Sequence, residues 1–362
     1  MAEARGGTLG SLEVGRFAAA SWVALAHFLP NVEKHAAAGQ RVFGGWRPPG
    51  ALGVEYFFVL SGFVMMIAHG ADRGNWRAVP IFWARRAARI YPIYWLALLV
   101  PLCYLYPTLT PGRFAELVAL QPAGGVDFIS QAWTLRYEIG FYFMFGLWLL
   151  PYIGRPLLVL WIFGVCWAAL HSLPLGWGHL PVPPFPRALS TPFIREFSDS
   201  FTFYFFTGMG AGWVVDRFRP ELGLSGTLIV AGLAGLLLTL PAEAWGYGYG
   251  KLAYLRLLTG AGFAAMIAGV AGLERRGKLR FGSTARSLGK LSYPLYITHT
   301  PALLVFSMYT GWLQLGTAGL YGLVVVGLAA LYALAALVTF GVDQPLQRRV
   351  RRWLAIRAPV PI

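Results

Sequence analysis

Arg16-Phe-Ala-Ala-Ala-Ser-Trp-Val-Ala-Leu-Ala-His27 is the first apolar run of the chain, with a cation at one end and an imidazole at the other. As α-helix, its eleven steps turn through about 1100° and rise about 16 Å, so Arg16 and His27 lie within about 20° of one face. Everything between them is apolar, small or aromatic. In a membrane such a stripe is costly unless it faces protein or a watery cavity. Buried ionisable groups there are read first as a functional site. A plainer alternative stays open: an Arg at the lipid interface and a His hydrogen-bonded to a neighbouring helix.

Working outward, the 362 residues are 57% hydrophobic and 12% charged. A soluble domain carries about 25% charged residues, so the composition is that of a polytopic membrane protein. No polar stretch is long enough to fold alone. The chain therefore reads as a single membrane domain over 1–362, with an apolar core over about 12–345 and a basic tail at 346–362. The formal net charge is +15. In a soluble protein this would suggest nucleic acid, but in a membrane protein it marks cytoplasmic loops, and no nucleic-acid partner is expected. Cys103 and Cys166 both sit in apolar runs and suggest neither a disulfide framework nor a metal site. The first run is expected to be a retained helix, because a second span follows closely; the alternative is a cleaved signal peptide.

A bilayer core takes about 20 mostly apolar residues per helix. That rule gives an all-α bundle of about ten transmembrane helices around a central cavity, at 14–30, 50–69, 83–106, 131–151, 156–171, 196–215, 224–241, 252–273, 287–310 and 314–341. With both termini inside, the inner segments hold Arg5 and Arg16, the cluster Arg73 to Arg89, Arg155, Arg217 and Arg219, the cluster Arg275 to Lys290, and Arg348 to Arg357. The outer loops hold Lys34, Arg41, Arg47, Arg113, Arg187, Arg195 and Lys251. This roughly threefold bias places both termini in the cytoplasm. The expected location is the plasma (inner) membrane, with the basic tail on its anionic inner leaflet.

This orientation gives the ionisable residues addresses. His27, Glu55, Glu138 and His299 gather toward the outside, above a cluster of arginines. The Pro- and Gly-rich outer loop 172–195 reads as an irregular cap or as a plain connector. Gly208, Gly210 and Gly212 suit close approach of their helix to a neighbour.

Several stretches together resemble acyltransferase family 3, the integral membrane sugar O-acyltransferases. Arg16 and His27 match its Arg-x10-His pattern, and Gly53-Val-Glu55-Tyr-Phe57-Phe58-Val-Leu60-Ser61-Gly62-Phe63 resembles its second-helix stretch. Arg86-Ala-Ala-Arg89-Ile-Tyr91-Pro92 is similar to its Arg-x-x-Arg motif, and Trp133-Thr134-Leu135-Arg136-Tyr137-Glu138 to its Trp-Ser/Thr-Leu-x-x-Glu. Ser292-Tyr293-Pro-Leu-Tyr296-Ile-Thr-His299 and Asp343-Gln344-Pro345 resemble its two late motifs, with Asp343 where Glu is usual. The matches run in order along nearly the whole chain. No esterase-like domain follows the last helix, as one does in some relatives, so a second, downstream transfer step is not expected of this chain.

The resemblance implies an enzyme that moves an acyl group, commonly acetyl from acetyl-CoA, to a hydroxyl of a carbohydrate or lipid-linked glycan in the envelope or outside the cell. On that reading, Arg86 and Arg89 share a helix face and would grip the phosphates of acetyl-CoA or another acyl-CoA with forked donors. The alternative is positive-inside anchoring. His27 would act as general base on the acceptor hydroxyl, by direct attack or through a covalent acyl-enzyme. Glu138 would orient His27 or balance its charge; otherwise it forms a salt bridge with Arg136 or Arg16. Arg16 balances charge, helps hold the donor, or belongs to a structural ion pair. Glu55, His299, Trp133 and Tyr293 form a second tier, near the substrate or in structural contacts.

No metal is expected: His27, His35, His69, His171, His179 and His299 show no ligand spacing on one helix. There is no P-loop and no Ser elbow. Rival readings are a transporter or flippase for a glycan or lipid, a structural partner of an export complex, and an O-acyltransferase for a small hydroxylated metabolite such as a macrolide. Whether the chain forms a homo-oligomer is left open.

Overall fold

The structure, a computed structural model, describes residues 9–37, 39–105, 109–121, 128–171, 174–175, 178–179, 197–244 and 253–357. Its helices are α1 (Gly10–Glu33), α2 (Gly50–His69), α3 (Ala78–Leu105), α4 (Pro111–Ala119), α5 (Ala132–Trp148), α6 (Gly154–His171), α7 (Thr202–Phe218), α8 (Leu222–Ala244), α9 (Ala253–Arg275), α10 (Ser283–Thr310), α11 (Thr317–Val338) and α12 (Gln344–Arg357). A two-residue antiparallel pair, β1 (Pro174–Leu175) and β2 (Gly178–His179), is the only sheet among the described residues. The rest of the loop 172–195, together with Arg5, Arg187, Arg195, Lys251 and residues 358–362, lies outside the described residues.

Each apolar run coincides with a helix, but the ends differ. α1 continues through Pro30 to Glu33. Proline there removes one hydrogen-bond rung, and the side-chain amide of Asn31 donates to the His27 carbonyl at 2.8 Å. The short α4 is not foreshadowed by apolarity. Thr110 caps it, Pro111 opens its first turn, and Tyr91, Tyr94 and Trp95 donate to the carbonyls of Ala119, Leu117 and Val118 at its far end.

Among the described residues, four stretches are long and apolar enough to cross a membrane by length and composition: Gly50–Asp72, Leu222–Leu240, Tyr254–Arg275 and Thr317–Trp353. Ionisable residues lower the apolarity of α1, α3 and α10. Of Leu222–Leu240 only 17% is buried inside the protein, and Val230, Leu233, Leu237 and Leu238 are exposed. So much exposed apolar surface requires an apolar phase to cover it. It is the surface of a membrane protein.

Lipid chains are as apolar as leucine, so close packing and polar contacts hold such helices together. The most extensive helix pairs are α8 with α9, α2 with α7, and α1 with α10. At the second, a Cβ on Gly208 would lie 1.9 Å from the Val59 carbonyl oxygen, and one on Gly212 would lie 2.9 Å from that of Phe63. Gly210, expected to share this role, faces open space. Beyond the contact, Phe205 stacks on Phe141 with ring centroids 4.0 Å apart, filling the space between α7 and α5.

α1 is fixed at its start by a residue far along the chain. Glu274 of α9 accepts from the backbone N–H of Gly10 at 2.6 Å and of Ser11 at 3.0 Å, and from the Ser11 hydroxyl at 2.5 Å. A carboxylate placed there satisfies unpaired N–H groups and complements the helix dipole. Between α11 and α12, Thr339–Asp343 forms a π-helical turn. It leaves Asp343 fully buried, against α3.

Candidate active site

His27 and His299 meet between α1 and α10. His27 Nδ1 lies 2.9 Å from His299 Nε2, and the rings stack at 15° with centroids 5.1 Å apart. His299 is fully buried, and His27 is half-buried. His27 Nε2 has no protein partner among the described residues.

Prolines give α10 the irregularity that builds this level. Pro301 has no N–H for the Ile297 carbonyl, and the Gln131 amide enters there. It donates to the Tyr296 carbonyl at 2.8 Å and reaches that of Ile297 at 3.5 Å. Thr300 and Ser130 donate to the side-chain amide oxygen of Gln131. Thr134 pairs with the Tyr296 hydroxyl at 2.8 Å. Asn31 and Ser307 bond to each other at 3.2 Å, one turn beyond His27 on α1.

A second polar level lies about 16 Å along α1, at Arg16. Arg16 is 30% exposed, and its closest carboxylate is Glu13 at 3.9 Å. The charge of Arg16 is felt at Arg86 and at Tyr142. Among the described residues Arg86 has no carboxylate within 4 Å, and its Nε is buried without a partner. Its guanidinium stands over the rings of Phe82 and Tyr142 and contacts His69 Nε2 at 3.3 Å. Asp72 accepts from the other nitrogen of that imidazole at 2.9 Å.

Arg89 is engaged differently. Its Nη1 lies 3.0 Å from Asp343 Oδ2, and its guanidinium lies over the Tyr293 ring at 5.2 Å. The Tyr293 hydroxyl donates to the Ile90 carbonyl at 2.6 Å. The two arginines expected to act as one grip therefore face different partners.

The expected ring of His27, Glu55, Glu138 and His299 is present only as its His27–His299 side. Glu138 accepts hydrogen bonds from Tyr142 and from Ser61. Gln131 sits beside His299, and seven residues of α5 separate it from Glu138, about 10 Å along the axis. That offset puts Glu138 at the Arg86 level rather than beside His27, with Tyr142 both donating to it and lying under the Arg86 guanidinium. Glu55 is buried and accepts from Tyr204 at 2.5 Å. Trp133 packs against Phe58, Tyr137 and Phe201. Among the described residues no group of three or more His, Cys, Asp or Glu is placed to hold a metal ion.

The sequence model of the acyltransferase domain family matches residues 9–341. The chain belongs to this acyltransferase family. It is 30% identical over 322 residues to the exopolysaccharide production protein ExoZ of Rhizobium meliloti (strain 1021), covering 83% of this chain and 91% of that protein. Over 113 residues it is 32% identical to the acyltransferase MdmB of Streptomyces mycarofaciens, 27% of this chain and 28% of that protein. No solved structure matches.

The His27 level holds a ring nitrogen with an open side, and the Arg86 level holds a buried guanidinium whose Nε has no partner among the described residues. Sequence reasoning missed Gln131, Thr300 and His69. Gln131 and Thr300 had a weak signal, as polar residues at the edge of an apolar run and beside His299. His69 was seen only as one histidine without ligand spacing.

Proposed function

We propose that this acyltransferase moves an acyl group, acetyl by preference, from cytoplasmic acyl-CoA to a hydroxyl of an envelope or secreted glycan. The observation that carries the reading is the His27 ring, held at Nδ1 and open at Nε2, on the same helix stripe as Arg16. A hydroxyl is a poor nucleophile, and an imidazole held this way can take its proton as the oxygen attacks the thioester carbonyl; the C–S bond then breaks and the imidazolium returns the proton to the leaving sulfur, releasing CoA as free thiol. Arg86 and Arg16 receive the donor's phosphates. Arg86 is buried with an unmatched donor, and a phosphate would supply the charge-assisted bonds it lacks. The pantetheine arm then spans the distance to His27. Arg89, turned to Asp343, holds α3 against the π turn and keeps Arg86 in place. Glu138 and Tyr142 shape the passage between the levels. The likeness to an exopolysaccharide production protein favours a polysaccharide acceptor.

This reading takes 1–362 as one domain of about ten spans in the plasma membrane, with both termini cytoplasmic. The donor then arrives at the Arg86 level and the acceptor at the His27 level. The test is acetyl-CoA turnover by purified protein in nanodiscs with a glycan extract of its host, following free thiol and labelled acetyl. Acceptor-dependent thiol release is expected, reduced by about 10²–10⁴-fold in a folded His27→Ala variant. Full activity in that variant would remove His27 from the mechanism. Donor binding without turnover would point to a different acceptor, such as a small hydroxylated metabolite.

A further inference from the structure

We infer that His299 is a positioning residue that fixes the tautomer of His27, so that Nε2 of His27 carries the free lone pair. The inference rests on the proposed role of His27 as base, and supplies what that role lacks, since among the described residues no carboxylate bonds to the ring.

The argument follows the donors and acceptors in order. His299 Nδ1 lies 3.2 Å from the Leu295 carbonyl oxygen, one turn back on its own helix. A carbonyl only accepts, so this nitrogen carries the hydrogen. The side-chain nitrogen of Gln131 is 3.5 Å from the same atom, but its two hydrogens have carbonyl acceptors, Tyr296 at 2.8 Å and Ile297 at 3.5 Å. With its hydrogen on Nδ1, neutral His299 presents a lone pair at Nε2. That lone pair faces His27 Nδ1 at 2.9 Å, so His27 donates there and its own hydrogen sits on Nδ1. Its Nε2 is then unprotonated, on the side without a protein partner. This is the work a buried carboxylate does behind a catalytic histidine, done here by a second imidazole oriented by a helix carbonyl. When His27 takes the acceptor's proton at Nε2, His299 Nε2 keeps accepting from His27 Nδ1, so no group behind the base has to move.

Side-chain geometry supplies the test. Glutamine at 299 can place an amide oxygen where Nε2 stood and keep the bond to His27, whereas asparagine reaches only the Nδ1 position. His299→Leu and His299→Asn are expected to lower kcat by about 10²-fold or more with KM for acyl-CoA unchanged, and His299→Gln to stay within about tenfold of the parent. Nitrogen-15 spectra of histidine-labelled protein, with His27 assigned by its loss in His27→Ala, are expected to show its hydrogen on Nδ1. If His299→Leu does not fold, the Asn and Gln variants and the spectrum still decide. Equal kcat for Asn and Gln, or a His27 hydrogen found on Nε2, would overturn the inference. The spectrum needs no turnover. A protein with the Nδ1 hydrogen that neither binds nor turns over acyl-CoA would sink the proposed donor and base roles alone, and an active one with the Nε2 hydrogen would sink the tautomer relay alone.

Discussion

Arg89 and Asp343 meet at 3.0 Å across 254 residues of sequence, the carboxylate fully buried and the guanidinium 24% exposed. This asymmetry orders two substitutions. Arg89→Ala strands a buried charge and is expected to destabilise by roughly 3–5 kcal/mol. Asp343→Ala leaves a cation that can still reach water, and costs less. Thermal unfolding in detergent measures both. Asp343→Glu, which keeps the charge, is expected to retain most of the activity.

Arg86 is expected to act on donor affinity. A charge-assisted bond contributes about 1.5–3 kcal/mol, so Arg86→Ala should raise KM for acyl-CoA roughly 10- to 150-fold with a smaller change in kcat. An acyl-pantetheine lacking phosphates should be used equally by parent and variant. Loss of activity toward both donors alike would place Arg86 in the scaffold.

Gly208→Ala forces a methyl into the Val59 carbonyl. It is expected to destabilise by about 1–3 kcal/mol, as overpacking does. Gly210→Ala, two residues away in open space, should change stability by less than about 0.5 kcal/mol. The pair reads as a difference in detergent unfolding midpoint.

Glu274→Ala removes the cap on α1 and is expected to cost about 1–2 kcal/mol. The loss should be local. Hydrogen exchange at Gly10 and Ser11 should speed up, while amides around Ala20 keep their protection.

Apolar runs carried the helices, because burial or lipid contact acts on each helix separately. The Arg16–His27 stripe was equally visible, since both residues lie on one helix and its period is fixed. What escaped was every partner supplied from elsewhere in the chain. His299 read as second-tier and Glu138 as the orienting group, because nothing local says that α5 meets α10 at Gln131. Arg86 and Arg89 read as one grip because they share a face. The π turn that brings Asp343 to Arg89 has no pattern of its own. α4 was missed for a different reason: capping and hydrogen bonds from α3 hold it, and neither is an apolarity signal.

The proposed base, His27, and its proposed orienting group, His299, stand 272 residues apart in the chain. A ribosome working at about 5–20 residues per second needs roughly 14–54 s to go from one to the other. During that interval the nascent protein owns His27 but nothing to align it. On that proposal the chemistry switches on at the end of biogenesis, when α10 docks on α1, and a chain interrupted before residue 299 is expected to be inert, leaving cellular thioester unspent.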